Sequence, residues 1–441
     1  MSRMTERREA RDGLKALAGV GPKVVAAVDL GAAKIGCFIM KPDGVQREDR
    51  TIHAAGVAHV RSRGVRSGAI VSMEEAAEAV AQAVERAETM SGVSVTGVVV
   101  TTAGGQLASH RVEASVSLGA RPICDQDLNR GLQMALAQVR YPGRRAIHLI
   151  PIAWSVDATK GVRDPRNMFG RTLGLELLVV TMAEAAFATL SQCMELAHVQ
   201  LEGVVAAPFA SALAALEEDE MDLGCICIDM GGGSTSVAVF SGGSLIHVDS
   251  LGVGGAHVTA DVARGLSTTI VGAERIKTLH GSAIASANED REMIEAPPRG
   301  DDPAAGAVSV PRSLLKGVIA PRVEETLELL RERLKASGVP IDPGAGVVLT
   351  GGASQLQGVR ELAVRVFDRP VRLGRPRRAP HLADAASGPA FSAAAGVLHR
   401  AAFGPREASA PRALRGLRAM RETDPRAGVM QRAASWLREN L

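Results

Sequence analysis

Apolar residues along this chain fall into short runs that alternate with amphipathic stretches, a pattern typical of strands and helices taken in turn. Residues 74–90 repeat apolar side chains at helical spacing and end at Ser91-Gly92, which predicts a helix with one buried face. Residues 95–102 are mostly apolar and stop at a glycine pair, which predicts a buried strand. Similar alternation over most of the chain predicts an α/β protein.

Two stretches, one in each half of the chain, share the order of apolar strand, Asp-x-Gly turn and second apolar strand. The first contains Asp29 and Gly31, and the second contains Asp229 and Gly231. A carboxylate at the tip of a buried strand is costly unless something there needs its charge. Glycine at the turn lets backbone N–H groups approach a phosphate. The repeat therefore predicts two similar half-domains that clamp one polyphosphate between them.

A third strand, residues 347–350, also ends in glycines and leads into a helix. Asp-Gly turns are common in hairpins, so one alone is weak support, but the three together favour phosphate binding. ATP with Mg²⁺ needs carboxylates for the waters of the metal, for which Asp29 and Asp229 are the candidates, and backbone N–H groups for the phosphates. No Gly-x-x-x-x-Gly-Lys-Ser/Thr motif is present. The further candidates for binding the nucleotide are Gly31, Lys34, Gly231, Gly232, Gly233, Ser234, Thr235, Gly351 and Gly352.

Two later stretches differ in their predicted structure. Residues 282–306 are polar and contain adjacent prolines, which predicts a loop. Pro321 is expected to begin an amphipathic helix, because proline is favoured in the first turn and apolar residues follow at helical spacing.

Length, charge and composition argue against several classes of protein. With 441 residues the chain is long enough for two or more domains, and its net charge of +3 argues against a general nucleic-acid role. The five cysteines lie in apolar stretches, which is typical of a reducing cytoplasm. No apolar run reaches the roughly 20 residues that span a bilayer. Residues 1–22 lack the apolar core of a signal peptide and are expected to form a flexible extension.

The end of the chain has a different character. Residues 405–428 are rich in Arg, Pro and Ala without apolar periodicity, which predicts a linker. As a helix, residues 429–441 would present an apolar arc of about 160°. Such a helix either docks on the core or lies in an anionic membrane leaflet, where Trp436 would suit the interface. The residues predicted to contact the membrane are Val429, Met430, Arg432, Ala433, Trp436, Leu437, Arg438 and Leu441.

The order of these motifs resembles the actin-like ATPase superfamily, which includes actin, DnaK-type chaperones and sugar kinases. Within it, residues 23–400 and 429–441 resemble the FtsA family of bacterial cell-division proteins. The matching stretches are Leu223 to Thr235, Gly254-Gly255-Ala256-His257-Val258-Thr259, Ala320-Pro321-Arg322 and Leu349-Thr350-Gly351-Gly352-Ala353. The resemblance implies an actin-like two-lobed α/β fold with duplicated mixed sheets, an FtsA-type extra subdomain and a C-terminal amphipathic helix.

The resemblance also implies a domain organisation. The predicted parts are an extension (1–22), a first lobe (23–106 and 171–202), an inserted subdomain (107–170), a second lobe (203–245 and 330–404) with a small subdomain (246–329), a linker (405–428) and a membrane-targeting helix (429–441).

The function implied is that of an ATP-binding adaptor that anchors FtsZ filaments to the cytoplasmic side of the inner membrane at the division site and helps to assemble the septum. Glu274 and Lys277 would reach the ribose or adenine. Arg312 and Arg322 would receive the acidic C-terminal peptide of FtsZ, although a solvated basic face is the simpler interpretation. The resemblance further implies self-polymerisation and binding of other division proteins through residues 107–170.

Three alanines depart from the family pattern. Ala32 and Ala33 stand where these proteins usually offer hydroxyls, and Ala207 stands where many relatives place a glutamate that positions the attacking water. Loss of such a group removes about 10²–10⁴-fold of rate. We therefore expect nucleotide binding with slow or absent hydrolysis. Two alternatives stay open at this point: a small-molecule kinase, for which the sequence offers no convincing catalytic carboxylate, and another actin-like scaffold of the MreB or PilM type.

Overall fold

Two mixed sheets with equivalent strand order and an inserted antiparallel sheet make up the protein. The computed structural model describes residues 25–43, 51–285, 291–298, 307–376 and 387–403. The predicted extension, linker and terminal helix lie outside these residues. The first part of the chain contains, in order, β1 (Val25–Leu30), β2 (Lys34–Asp43), β3 (Thr51–Arg61), β4 (Val65–Arg66), β5 (Ala69–Ile70), α1 (Met73–Ser91) and β6 (Gly97–Thr102).

The inserted part follows directly. Its elements are β7 (Ala108–Ser117), α2 (Asp125–Ala137), β8 (Arg144–Val156), β9 (Thr159–Val162) and β10 (Thr172–Ala183). They form an antiparallel sheet in the order β7-β10-β8-β9, with α2 packed on one face. The inserted subdomain therefore ends near Ala183 rather than at residue 170, because the backbone groups of β10 are satisfied by β7 and β8.

The rest of the chain completes the first mixed sheet and builds the second. Its elements are α3 (Glu184–Leu196), β11 (Gln200–Ala206), α4 (Ala207–Ala215), α5 (Glu218–Leu223), β12 (Cys225–Met230), β13 (Thr235–Ser241), β14 (Ser244–Leu251), α6 (Gly255–Gly265), α7 (Ile270–His280), β15 (Met293–Ala296), β16 (Val308–Pro311), α8 (Arg312–Ala336), β17 (Gly346–Thr350), α9 (Val359–Phe367), β18 (Val371–Leu373) and α10 (Ser392–Phe403). Short 3₁₀ turns cover Gly352–Gln355 and Pro389–Phe391.

The two mixed sheets correspond strand for strand. The first has the order β3-β2-β1-β6-β11 and the second β14-β13-β12-β17-β18. In each, an antiparallel meander continues into two parallel strands. The register agrees as well, because Asp29 lies opposite Thr101 and Asp229 opposite Thr350. The prediction of duplicated mixed sheets is confirmed. We call the unit built on the first sheet the first lobe and that on the second sheet the second lobe.

Helices α4 and α10, which the sequence placed in the second lobe, pack in a core that the two mixed sheets share. Every residue of α4 is buried, so this helix must be covered on all sides. Its apolar residues share one core with β1, β2 and α10, and also with Cys227 of β12 and Phe240 of β13. Helix α10 contacts strands of the first sheet, whereas α4 lies between the two sheets. The predicted divisions at residues 245/246 and 329/330 fall inside single elements, β14 and α8.

Two local predictions were wrong. Within the predicted loop 282–306, Met293–Ala296 is a strand paired with β16, because its alternating side chains can bury Ile294 and Ala296 on one face. Pro321 lies inside α8, which begins at Arg312. The ring of a helical proline clashes with the carbonyl four residues earlier, and here that residue is the exposed Gly317, which has open surroundings.

Candidate functional site

The two Asp-x-Gly turns lie against each other, as the sequence predicted. A Cβ built on Gly232 would lie 2.7 Å from the Cβ of Ala33, and one on Gly233 would lie 2.5 Å from the Cβ of Ala32. Ordinary carbon contacts are near 3.5–4.0 Å, so side chains at these glycines would force the turns apart. The absence of side chains on one turn therefore makes room for the alanines of the other.

Each turn presents a partly buried carboxylate. Thr101 Oγ1 donates a hydrogen bond of 2.8 Å to Asp29 Oδ1, and Ser211 Oγ donates one of 2.5 Å to Asp229 Oδ2. Burial raises the pKa of Asp29 despite its hydrogen bond. Burial, with a smaller contribution from the negative charge of Asp29, raises the pKa of Asp229 to about 6 against the opposing effects of the Ser211 hydrogen bond and the Lys34 charge. Because burial penalises the negative charge of both carboxylates, a cation beside them is favourable.

Lys34, at the start of β2, brings a cation to the same place. Burial lowers its pKa to about 8, while the charges of Asp29 and Asp229 oppose the shift. Its Nζ lies 2.9 Å from the centroid of the Phe391 ring. Sequence reasoning identified Lys34 but missed Phe391, whose only local signal was the Gly-Pro turn that precedes an apolar helix.

The two turns differ in how their residues are packed and hydrogen-bonded. Gly231 N–H donates to Ser234 C=O over 2.8 Å, which closes the second turn. Thr235 is fully buried, and within the described residues its Oγ1 has no hydrogen-bond partner. On the first turn, a Cβ at Gly31 would lie 2.7 Å from Lys34 C=O. The second turn thus offers an unpaired polar atom, and the first turn requires its glycine.

The third glycine turn lies beside the second carboxylate. Gly351 has a left-handed φ of 85°, and a Cβ there would overlap Asp229 Oδ1 and Met230 C=O. Only glycine fits this position without strain. Gly351 N–H donates to Pro389 C=O at 3.2 Å, and a Cβ at Gly352 would lie 3.5 Å from the Cβ of Ala390. The turn is therefore held from its far side by a segment that the sequence analysis did not assign.

Glu274 and Lys277 form an ion pair on α7 that reaches the second turn. Lys277 Nζ donates to Glu274 Oε2 at 2.7 Å, to Thr259 Oγ1 at 2.8 Å and to Gly255 C=O at 3.2 Å. Gly255 N–H in turn donates to Gly231 C=O at 3.0 Å. The structure thus brings the pair to the turns, and Thr259 is a partner that the family resemblance did not reveal.

Ala207 begins α4, where its small side chain is buried. Ala207 offers no carboxylate that could position an attacking water, and Ala32 and Ala33 offer no polar side chain. Within the described ranges, no group of three or more His, Cys, Asp or Glu side chains is placed to hold a metal ion directly. The same part of the chain contains no helix long and apolar enough to cross a membrane.

The two basic residues suggested for partner binding are engaged within the chain. Arg312 Nη1 lies 2.7 Å from Glu292 Oε2, and the same guanidinium donates to His280 C=O at 2.9 Å. Arg322 pairs with Asp261 and Glu325, each at 2.5 Å. A partner carboxylate would have to displace these pairs, and the structure does not bring the two arginines to the turns.

Comparisons with known proteins agree with this architecture. The family model for "Cell division protein FtsA" matches residues 226–396, and that for "SHS2 domain inserted in FTSA" matches residues 104–181. The cell division protein FtsA of Agrobacterium fabrum is 43% identical over 391 residues, or 87% of this chain and 88% of that protein. FtsA of Neisseria meningitidis is 31% identical, covering 95% and 99%. FtsA of Escherichia coli K12 is 30% identical, covering 86% and 90%.

Solved structures with low sequence identity share the fold. The PilM-PilN type IV pilus biogenesis complex aligns with a TM-score of 0.59 at 16% identity, over 86% of this chain and 99% of that chain. MreB5 of Spiroplasma citri bound to ADP aligns with a TM-score of 0.50 at 15% identity, over 85% and 95%. These neighbours show an actin-like fold. Because relatives at 30% to 43% identity extend over most of the chain, and the inserted sheet falls where the family has its own inserted domain, the chain belongs to the FtsA family of cell division proteins.

Proposed function

We propose that the chain binds ATP with Mg²⁺ between its two Asp-x-Gly turns. The observation that carries this proposal is the pair of carboxylates at equivalent strand ends, facing each other across turns that tolerate no added side chain. The unpaired Oγ1 of buried Thr235 supports a polar ligand at the second turn. A neighbour described as bound to ADP makes an adenine nucleotide the first ligand to test.

In this proposal each residue of the site has a specific role in binding the nucleotide or the metal. Asp29 and Asp229 hold the waters of the metal, which supplies positive charge against the phosphates. Backbone N–H groups of the two turns and the ammonium of Lys34 bind phosphate oxygens. Gly351 and Gly352 leave room for the nucleoside, and the Glu274–Lys277 pair borders it. With alanine at positions 32, 33 and 207, hydrolysis is slow or absent.

Calorimetric titration of the full chain with Mg-ATP tests the site. Asp229→Asn is expected to weaken binding at least tenfold, because it removes a charge that holds the metal. Asp219→Asn is the matched control, since Asp219 is exposed on α5, and it should bind as the unaltered chain does. Equal affinity of the Asp229→Asn variant and the control would contradict the proposed site.

The wider role follows from family membership and from the sequence of the tail. In our proposal the chain anchors FtsZ filaments to the cytoplasmic side of the membrane, with residues 429–441 as the membrane contact. Short amphipathic helices bind weakly, so stable attachment needs several copies, which self-assembly into an actin-like polymer would supply. The FtsZ C-terminal peptide would bind near Arg322 and Arg312, and the inserted subdomain would receive other division proteins.

Flotation with anionic liposomes tests the anchor. The full chain is expected to float and a chain truncated after Arg426 to remain at the bottom, because truncation removes the apolar arc. Trp436→Glu with Leu437→Glu should abolish flotation and the recruitment of FtsZ to the liposomes. Gln431→Glu with Ser435→Glu adds the same charge on the polar side and should retain most of the binding.

Two results would count against the anchor. Flotation of the truncated chain would place membrane binding elsewhere in the protein. If neither chain floats, residues 429–441 dock on the core, and the kinase and soluble-scaffold alternatives gain ground.

A further inference from the structure

The 3₁₀ turn Pro389–Phe391 contacts three parts of the nucleotide site, although no sequence motif marks it. Its aromatic ring lies under Lys34, with Nζ 2.9 Å from the ring centroid. Its first residue accepts the N–H of Gly351, and its middle residue faces Gly352. One short segment therefore links the first Asp-x-Gly turn to the third glycine turn.

The ring of Phe391 is held in place by its surroundings. It makes edge contacts with Phe38 and His59, at centroid distances of 6.0 and 5.6 Å. Directly after it, Ser392 Oγ lies 2.6 Å from Thr350 Oγ1, and both residues are buried. Thr350 in turn lies opposite Asp229 in the second sheet. The ring is thus a fixed surface, and the long lysine side chain is the flexible partner.

We propose that Phe391 is a positioning residue for the phosphates of the bound nucleotide, because its ring holds the Lys34 ammonium in the cleft between the two carboxylates. The inference rests on the proposed function. A free lysine side chain loses rotamer freedom when it binds a phosphate, whereas a lysine already held against a ring has lost much of that freedom beforehand. Cation–π attraction of a partly desolvated ammonium supplies the holding force.

This role has a signature that a purely structural role lacks. Lys34 lies at the phosphate turns and not at the nucleoside side of the site, so removing the ring should weaken binding of ATP more than binding of AMP. A general loosening of the fold would weaken both equally. In addition, the ring acts through Lys34, so its loss should matter little once Lys34 is gone.

Calorimetric titration of the full-length chain with Mg-ATP, and with AMP in competition, tests the proposal. Phe391→Leu should weaken Mg-ATP binding by about 3- to 30-fold, the range expected for a cation–π contact between exposed and desolvated limits. Phe391→Tyr keeps the ring and should stay within about twofold of the unaltered chain. Lys34→Met should weaken binding at least as much as Phe391→Leu, and the double variant should be no weaker than Lys34→Met alone.

The matched control is Phe187→Leu. Phe187 also carries a guanidinium over its ring, that of Arg145 at 4.1 Å, but it lies on α3, half-buried against the core. Phe187→Leu should change neither the affinity for Mg-ATP nor the affinity for AMP. It therefore separates loss of any cation–π contact from loss of the one at Lys34.

Several results would overturn the inference. These are full affinity in Phe391→Leu, equal losses for ATP and AMP, additive losses in the double variant, or tighter binding without the ring, which would mean that Phe391 withholds Lys34 from phosphate. Failure of the unaltered chain to bind Mg-ATP would overturn the proposed function and this inference together. Normal binding by the unaltered chain with full affinity in Phe391→Leu would overturn the inference alone.

Discussion

The Asp229 side chain has a cost in folding free energy and a proposed role in ligand binding. Its carboxylate is partly buried, accepts a hydrogen bond from Ser211 and feels the charge of Asp29. A buried charge opposes folding when its countercharge, here Lys34, balances it only in part, and the raised pKa expresses that penalty. A bound cation would reverse it. We therefore expect a neutral residue here to make the free chain more stable, as is typical of a binding site.

The raised pKa of Asp229 predicts a pH dependence of stability with a defined sign. Since its folded-state pKa, about 6, lies above the unfolded value of 3.8, this group favours folding below pH 3.8, and its contribution is lost as the pH rises through about 6. Asp229→Asn should therefore raise the free energy of unfolding at pH 7.5 by about 1–3 kcal/mol relative to the unaltered chain.

Urea unfolding without added metal at pH 5 and pH 7.5 measures this difference. Asp219→Asn again serves as the control and should change neither value. A stabilisation by Asp229→Asn that is the same at both pH values would argue against titration of Asp229 as its cause.

At the scale of elements, the crossing of α4 and α10 depends on one glycine. A Cβ at Gly396 would collide with the carbonyl of Ala210, so the two helices approach closely only because that Cβ is absent. Both helices are strongly apolar, and they pack in the core that the two mixed sheets share. In contrast, Gly317 of α8 has nothing within 4 Å of its Cβ position. Gly396 is therefore required for close helix packing, whereas Gly317 is not.

Gly396→Ala is expected to lower the free energy of unfolding by about 1–3 kcal/mol, because the added methyl overpacks a close helix crossing. Gly317→Ala is the matched control and should raise it by up to about 1 kcal/mol, since alanine costs less conformational entropy in an exposed helix. Urea denaturation monitored by circular dichroism measures both. An unchanged stability of Gly396→Ala would mean that the helices can separate at no cost.

At the scale of the whole molecule, the second lobe contacts both the first lobe and the inserted subdomain. Ser109 Oγ of β7 both donates to and accepts from the backbone of Val248 in β14, at 2.7 Å each. Ser67 Oγ of the β4–β5 hairpin lies 3.3 Å from His257 Nε2 of α6. These contacts hold the lobes together around the two turns, so ligand binding and lobe closure should be coupled.

A methyl group between the turns should separate the lobes and weaken ligand binding. Gly232→Ala would place its Cβ near that of Ala33, which the lobes can relieve only by moving apart. We expect at least tenfold weaker Mg-ATP binding, a loss typical of misplaced binding groups. Ala33→Gly in the same chain should restore most of the affinity, because it removes the opposing methyl. Calorimetric titration measures both, and failure of the second change to rescue the first would place the clash elsewhere.

The resemblance to the FtsA family implied the duplicated mixed sheets, and the sequence by itself determined the two Asp-x-Gly hairpins and the glycine turn after the third strand. These features depend on neighbouring residues, because strand alternation and turn glycines are local properties that a linear pattern records. Glu274 and Lys277 were implied by the family resemblance, and the structure shows them as an ion pair three residues apart on one helix.

Only the tertiary structure decided which distant side chains meet. Phe391 under Lys34, Ser211 on Asp229 and Gly396 against Ala210 join residues far apart in the chain. The end of the inserted sheet, the core that receives α4 and α10, and the course of α8 through Pro321 were likewise set by packing. The physical reason is that a local pattern fixes which face of an element is apolar, whereas the partner of that face is chosen by the total burial and hydrogen bonding of the folded chain.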